Sequence, residues 1–233
     1  MDFAGGHPSR GVVIVAAGQG TRMGADKVWL PLAGIPVVAH SLRAFASCRD
    51  LSRMVLVVSA DRLEDGRELV RTLGLVAEVC AGGERRQDSV QRGLDAVGDV
   101  ELVAVHDGAR PLASPGLIEA CYEAAAAFGA AVPAVQVRDT IKQVSASGWV
   151  EGTVQRSSLW AAQTPQAFRT DLLRRAYAAV EGDVTDEAAA VEAFAHRVRI
   201  VPGDADNVKL TTPEDLAIVA ALLARREAGE SSE

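Results

Sequence analysis

Short apolar runs alternate along the chain with longer segments in which apolar residues recur every three or four positions. The short runs are typical of buried β-strands, and the longer segments are typical of amphipathic helices. Strands are predicted at residues 11–17, 53–59, 75–80, 101–107 and 130–137. Helices are predicted at residues 36–48, 61–74, 86–98 and 114–129.

This alternation predicts an α/β fold with a mostly parallel sheet, because several strands are apolar throughout and must be covered by helices on both faces. In such a sheet, ligands bind outside the carboxyl ends of the strands, where the strand order reverses. We therefore expect the loops after residues 17, 80 and 107 to converge on one site.

The pattern changes after residue 137. Residues 138–157 contain two alternating segments around "SASG", which predict a β-hairpin or arm inserted into the α/β pattern. Helices follow at 169–182 and 184–196, and Thr212 and Pro213 begin a last helix. The whole chain, residues 1–233, is thus predicted to be one domain, with a frayed polar tail at 226–233.

Composition, charge and residue spacing exclude several classes of function. The chain has 233 residues, 48% of them hydrophobic, which suits one domain, and its net charge of −7 argues against a broad nucleic-acid surface. Neither the three cysteines nor the four histidines have the spacing of a metal site. The chain has no apolar run of ~20 residues, and the ten residues before the first predicted strand are too few for a signal or transit peptide. We expect a cytoplasmic protein without a membrane partner.

The first predicted strand runs into the glycine-rich segment "AAGQGTRMGADK". A dinucleotide fingerprint would need a third glycine where Met23 stands, and the P-loop pattern is missing. Backbone N–H groups around Gly18 and Gly20 can still form a nest for an anion, and Arg22 and Lys27 add positive charge. A phosphate-binding loop explains this set better than a simple turn with two solvated cations.

Two further loops offer groups that could act on a bound nucleotide. Asp107 ends an apolar strand, where it could hold Mg²⁺ beside polyphosphate or simply form a turn, and Arg110 lies within reach of a second anion. Gly82 and Gly83 would allow a planar base to approach the backbone. Ser89 could then bond that base or merely belong to the first turn of a helix, and both interpretations stay open.

Seven segments, taken in order, resemble the 2-C-methyl-D-erythritol 4-phosphate cytidylyltransferase family of the non-mevalonate isoprenoid pathway, over residues 11–225. They are AAGQGTRMG, AGGERRQDSV, VHDGARP, VRDTIKQV, LWAAQTPQAF, VTDEAAAVE and DNVKLTTPEDL. The first marks only the broad nucleotidyltransferase superfamily, whereas the later ones are more specific. The resemblance implies a single Rossmann-like nucleotidyltransferase domain that transfers CMP from CTP to 2-C-methyl-D-erythritol 4-phosphate, with Mg²⁺ and release of pyrophosphate.

The resemblance also implies roles for individual residues. Nucleotide binding falls to Ala16, Ala17, Gly18, Gly20, Gly83, Glu84 and Ser89, with Glu84 standing where the family often has Asp. Catalysis falls to Arg22, Lys27 and Lys209, and the metal to Asp107. Contacts to the acceptor phosphate ester fall to Gly108, Arg110, Thr140, Arg156, Thr185 and Lys209. The arm at 138–157 would form a homodimer and deliver Thr140 and Arg156 to the neighbour's site.

The residues present suit this chemistry. A phosphate monoester with a second pKa of ~6 is mostly dianionic at neutral pH and needs no general base, which agrees with the lack of a Ser/His/Asp or paired-carboxylate arrangement. Such transfer depends on positioning and on neutralising charge. The alternatives are transfer to another alditol phosphate, such as ribitol 5-phosphate, and a non-catalytic nucleotide-binding module. The segments "DTIK" and "TDEAAAVE" favour methylerythritol phosphate.

Overall fold

An eight-stranded mixed sheet with helices on both faces forms the centre of the fold in the computed structural model, which describes residues 8–18 and 26–230. The strands in these residues are β1 Arg10–Ala16, β2 Pro31–Leu32, β3 Ile35–Pro36, β4 Leu51–Val58, β5 Glu78–Ala81, β6 Leu102–Asp107, β7 Ala130–Gln136, β8 Ile141–Val144, β9 Val150–Val154, β10 Trp160–Ala162, β11 Gln166–Arg169 and β12 Arg199–Pro202. The α-helices are α1 Val37–Ala46, α2 Leu63–Thr72, α3 Arg86–Val97, α4 Pro115–Phe128, α5 Thr170–Ala179, α6 Glu187–Ala193 and α7 Pro213–Glu230.

The predicted α/β class is confirmed, and most of the sheet is parallel. The strand order is β10-β7-β11-β6-β1-β4-β5, with β12 pairing β7. Strands β4 and β6 flank β1 on opposite sides, and both run parallel to it. The strand order therefore reverses at β1, which is the place where an open parallel sheet forms its ligand crevice.

Strands β10 and β11 depart from the predicted pattern because they run antiparallel to their neighbours. Strand β11 lies between β6 and β7, and Ala167 pairs with Ala104 on one side and Ala131 on the other. The chain enters β10 and β11 after the hairpin, from the far end of β7, so it can return along β7 without a crossover helix. This route explains the insertion of an antiparallel strand into a parallel sheet.

The core has two layers, one on each face of the sheet. Val12 and Ile14 of β1 pack in the cluster that contains residues of α1 and α4, whereas Val13 packs with residues of α3 and α5. All three side chains are fully buried. An uninterrupted apolar strand is thus the result of helices covering both faces.

The predicted arm is a two-stranded hairpin, β8–β9, that is separate from the main sheet. Ile141 pairs with Val154 at its base. Several of its apolar side chains are exposed in this single chain, with Trp149 at 77% and Val150 at 60% exposure. The arm therefore presents side chains that a folded domain would normally bury.

The last helix differs from the expectation of a frayed tail beginning at residue 226, since α7 continues to Glu230. Arg226 donates hydrogen bonds to the carbonyl of Leu112 at 2.7 Å and to Asp204 Oδ2 at 2.9 Å, and these bonds fasten the helix to the domain. Over residues 8–18 and 26–230, the structure has no helix that is both long enough and apolar enough to cross a membrane.

Candidate active site

A cleft of about 790 Å³ opens at the carboxyl ends of the parallel strands β1, β4, β5 and β6. The expected convergence of the loops after residues 17, 80 and 107 is confirmed. The lining residues are Val15, Ala16, Ala17, Gly18, Lys27, Val28, Ser59, Ala60, Asp61, Gly82, Gly83, Glu84, Arg85, Arg86, Ser89, Arg92, Asp107, Ala109 and Lys209. Most of the predicted nucleotide and catalytic residues thus share one cavity, while Gly20 and Arg22 lie outside the described residues.

Asp107 sits at the end of β6 with 9% exposure, between two cations. Its Oδ1 accepts a hydrogen bond from Arg86 Nη2 at 3.0 Å, and its Oδ2 accepts one from Lys209 Nζ at 2.6 Å. Burial alone would raise the pKa of this carboxyl, but attraction to Arg86 and Lys209 outweighs it and holds the pKa well below its usual range. Asp107 is therefore ionised at neutral pH.

A buried hydrogen-bond chain fixes the backbone of Asp107. His106 Nε2 lies 3.1 Å from the carbonyl of Arg110, so this nitrogen carries the proton, and Nδ1 accepts one from the Thr164 hydroxyl at 3.1 Å. The Thr164 oxygen in turn accepts from the Asp107 N–H at 3.0 Å. Burial lowers the pKa of His106 to about 4, so the ring is neutral and acts as a structural link.

Arg86, the first residue of α3, is a cation of the cleft that the sequence reasoning missed. Its Nη1 donates to Glu187 Oε1 at 2.5 Å, and its Nη2 donates to Glu187 Oε2 at 3.1 Å. Burial by itself would lower the pKa of Arg86, but the carboxylates of Glu187 and Asp107 have the larger effect and raise this pKa above its usual range. The arginine pair that follows Gly82, Gly83 and Glu84 at a helix start was an available signal for Arg86, whereas nothing local pointed to Glu187, 101 residues away.

The glycines at 82 and 83 are needed because side chains would not fit. A Cβ on Gly82 would lie 2.4 Å from Cβ of Ala17, and one on Gly83 would lie 2.3 Å from Cβ of Asp88. The Ser89 hydroxyl accepts from the Gly83 N–H at 3.0 Å and donates to the carbonyl of Arg85 at 3.2 Å. In this structure, Ser89 therefore shapes the loop that walls the cleft.

Gly108 and Arg110, predicted to contact the acceptor, do not line the cleft. Gly108 donates its N–H to the carbonyl of Val15 at 2.9 Å, and a Cβ there would lie 3.2 Å from that oxygen, so its role here is close packing. Arg110 follows a turn closed by its N–H on the Asp107 carbonyl, and its guanidinium donates to the carbonyl of Asn207 at 2.7 Å. This guanidinium thus ties together two segments of backbone, and the expected contact of Arg110 with the acceptor phosphate stays a prediction.

The other predicted acceptor residues lie elsewhere in the chain. Arg156 lines a second cavity, of about 720 Å³, at the foot of the hairpin, and donates to the carbonyl of Arg138. Thr140 is exposed just before β8, and Thr185 is exposed before α6. Within a single chain, none of these three residues lines the cleft that contains Asp107.

The charged groups of the cleft can bind and orient phosphate esters. In the part of the chain that the structure describes, no group of three or more His, Cys, Asp or Glu side chains could hold a metal ion by itself. Asp107 instead lies between the cations Arg86 and Lys209. Such a site suits polyanionic substrates that bring oxygen ligands of their own.

Comparisons with known proteins agree with this geometry. The family model for 2-C-methyl-D-erythritol 4-phosphate cytidylyltransferase matches residues 11–225. The chain is 46% identical over 216 residues to the enzyme of that name from Dehalococcoides mccartyi strain 195, covering 91% of this chain and 95% of that one. It is 43% identical over 226 residues to the Bacillus licheniformis enzyme of the same name, covering 94% and 97%.

Solved structures show the same similarity in three dimensions. The 2-C-methyl-D-erythritol 4-phosphate cytidylyltransferase of Thermus thermophilus is 35% identical with a TM-score of 0.74, covering 91% of this chain and 98% of that one. The 4-diphosphocytidyl-2C-methyl-D-erythritol synthase of Anaerococcus prevotii is 29% identical with a TM-score of 0.82, covering 93% and 99%.

Proposed function

The chain belongs to the 2-C-methyl-D-erythritol 4-phosphate cytidylyltransferase family, and we propose that its cleft transfers the cytidylyl group of CTP to 2-C-methyl-D-erythritol 4-phosphate. The products are pyrophosphate and 4-diphosphocytidyl-2-C-methyl-D-erythritol, a precursor in non-mevalonate isoprenoid synthesis. The observation that carries this proposal is the ionised Asp107 between Arg86 and Lys209, at the switch point of the sheet and in one cavity with Lys27.

The nucleotide occupies the side of the cleft that is built from backbone. Ala16 ends β1 and is followed by Ala17 and Gly18, and Gly82 and Gly83 follow β5, so two stretches of main chain face the cavity with little side chain between them. Backbone N–H groups in such loops bind phosphate and base edges. The cytosine and ribose lie against the second stretch, and the triphosphate lies toward the first.

The reaction needs positive charge more than a base. A dianionic phosphate oxygen of the acceptor attacks the α-phosphorus of CTP, the bond from that phosphorus to the bridging oxygen breaks, and pyrophosphate leaves with the electron pair. Lys27 and Lys209 reduce the repulsion between the two anions and neutralise the charge that develops in the transition state. Arg22 has the same role by family resemblance.

Asp107 suits Mg²⁺, because this ion is often held by one or two carboxylates together with substrate phosphates. Its ionised state at neutral pH and its oxygen ligands fit that use. When bound there, the ion would neutralise charge on the triphosphate. In the structure, Arg86 binds one carboxylate oxygen of Asp107 and Lys209 binds the other, and an ion at this site would need the same oxygens. Asp107 therefore exchanges or shares partners when the nucleotide binds.

The arm pairs with a second copy of the chain in this proposal. Trp149, Val144 and Val150 are exposed on the hairpin, and burying apolar area of this kind favours association. Thr140 and Arg156 are remote from Asp107 within one chain, so a crossed arm would bring them to the neighbour's cleft. This accounts for both predicted residues without moving the domain.

Subunit mixing tests the arm. Asp107→Ala and Arg156→Ala proteins are each expected to be inactive, and a mixture is expected to regain up to a quarter of wild-type turnover if subunits exchange at random. Exchange is verified with differently tagged chains. Confirmed exchange without recovered activity would contradict the crossed arm.

The acceptor assay tests the function itself. Pyrophosphate release is measured with CTP, Mg²⁺ and either 2-C-methyl-D-erythritol 4-phosphate or ribitol 5-phosphate. We expect a much higher kcat/KM for the first acceptor. A preference for ribitol 5-phosphate would reassign the acceptor, and no release with either would favour a non-catalytic nucleotide-binding module.

A further inference from the structure

Glu187 is a fully buried carboxylate that does not line the cleft, and the reaction proposed above has no use for it. It accepts two hydrogen bonds from Arg86 and a third from the hydroxyl of Tyr177, at 3.1 Å. Burying a carboxylate is expensive unless it is paired and hydrogen-bonded. Since a hydrophobic residue could fill the same space without this cost, the buried charge points to a specific role for Glu187.

The charge of Glu187 reaches the cleft through Arg86. Nη2 of Arg86 donates to Glu187 Oε2 at 3.1 Å and also to Asp107 Oδ1 at 3.0 Å, so one nitrogen is shared between two carboxylates. Lys209 completes the row on the other oxygen of Asp107. The four groups alternate in sign and their formal charges cancel.

We propose that Glu187 is a positioning residue that acts through Arg86 and sets how strongly Arg86 holds the Asp107 carboxylate, and thereby how readily the cleft accepts a divalent cation with CTP. This inference rests on the proposed function. Because the Arg86 guanidinium also binds Glu187, it holds Asp107 less strongly, and Asp107 remains available to a cation.

The sign of the effect follows from the charges. In Glu187→Gln, the row has a net charge of +1, Arg86 pairs with Asp107 alone, and an incoming divalent cation meets both repulsion and competition. One unit charge within several ångströms, at the effective dielectric constant of ~20 that suits protein sites, changes ion affinity by about tenfold or more. The double variant Arg86→Gln/Glu187→Gln restores a net charge of zero and removes the competitor.

The test is calorimetric titration of CTP into the intact protein at a series of Mg²⁺ concentrations, which gives the Mg²⁺ concentration for half-maximal CTP affinity without any turnover. We expect this concentration to rise at least about tenfold in Glu187→Gln and to return to within about threefold of wild type in the double variant. Tyr177→Phe is the matched control, because it removes a hydrogen bond to Glu187 but no charge, and we expect a shift below about threefold. Thermal unfolding confirms that each variant is folded.

Two results would overturn the inference while the proposed function stands: an unchanged Mg²⁺ requirement in folded Glu187→Gln, or a double variant shifted as far as the single one. Both would assign Glu187 a purely structural role. Wild-type protein that fails to bind CTP at every Mg²⁺ concentration would instead remove the proposed function, and this inference with it.

Discussion

Helix α3 contacts the sheet so closely at Gly93 that one added methyl group should cause a measurable loss of stability. A Cβ at Gly93 would lie 2.2 Å from Cγ1 of Val13 and 3.0 Å from Cγ2 of Val57. Both valines are fully buried, in β1 and β4. Since carbon atoms pack best at about 3.5–4.0 Å, helix and sheet would have to separate by roughly 1 Å. We therefore predict that Gly93→Ala is destabilising.

The magnitude is the difference between two opposing effects. Overpacking a filled core costs about 1–3 kcal/mol, and replacing glycine by alanine within a helix returns as much as ~1 kcal/mol. Gly116 of α4 is the matched control, because a Cβ there would have no neighbour within 4 Å. The stability difference between Gly116→Ala and Gly93→Ala is expected to be about 1–3 kcal/mol, or roughly 2–12 °C in Tm for a chain of this size.

Urea unfolding of both variants, followed by circular dichroism, measures this difference. Arg86 and Ser89 lie in the first turns of α3, so a displaced helix should also weaken CTP binding in Gly93→Ala and leave it unchanged in Gly116→Ala. Equal stability of the two variants would refute the reasoning, because it would show that α3 can move away from the sheet without loss.

Three other predictions concern the site and its supports. Lys27→Ala should lower turnover by at least about a hundredfold with little change in Tm, since transition-state charge loses a partner; near-normal pyrophosphate release would place that charge elsewhere. Asp186→Ala should cost about 1–2 kcal/mol in urea unfolding, because Asp186 Oδ1 caps α6 through the N–H of Ala189 at 2.9 Å; Asp186→Asn should retain most of this stability, and equal losses would contradict a capping role. His106, with its pKa lowered to about 4 by burial, is protonated more readily in the unfolded chain, so stability should fall by roughly 3 kcal/mol as the pH drops from 7 to 4; His106→Gln should flatten this part of the profile, and an unchanged profile would assign the loss to other groups.

Much of the site could be predicted because its elements are local. The glycine loop after β1, the glycines after β5 and Asp107 at the end of β6 each follow an apolar strand, and parallel strands bring their carboxyl ends to one edge. Strand and helix positions were close for the same reason, since periodicity and capping residues act over a few positions. The hairpin was predictable from alternation around "SASG".

The interpretation of single residues was weaker where their partners are distant in sequence. The sequence left the role of Ser89 open, whereas the fold places its hydroxyl on the Gly83 N–H, and nothing in the sequence indicated that Arg110 ties the backbone at Asn207. Charged residues look alike in a sequence. Their roles depend on which carbonyl or carboxylate the fold brings within about 3 Å.

The sequence by itself therefore determined the layers of the fold, the edge of the sheet that carries the site and the family to which the chain belongs. Only the tertiary structure decided that β11 enters the sheet antiparallel, that Arg86 holds Asp107, and that a buried Glu187 stands behind Arg86. The physical reason is range. Hydrophobic periodicity is written over a few residues, whereas ion pairs between segments 101 positions apart exist only after packing has placed them.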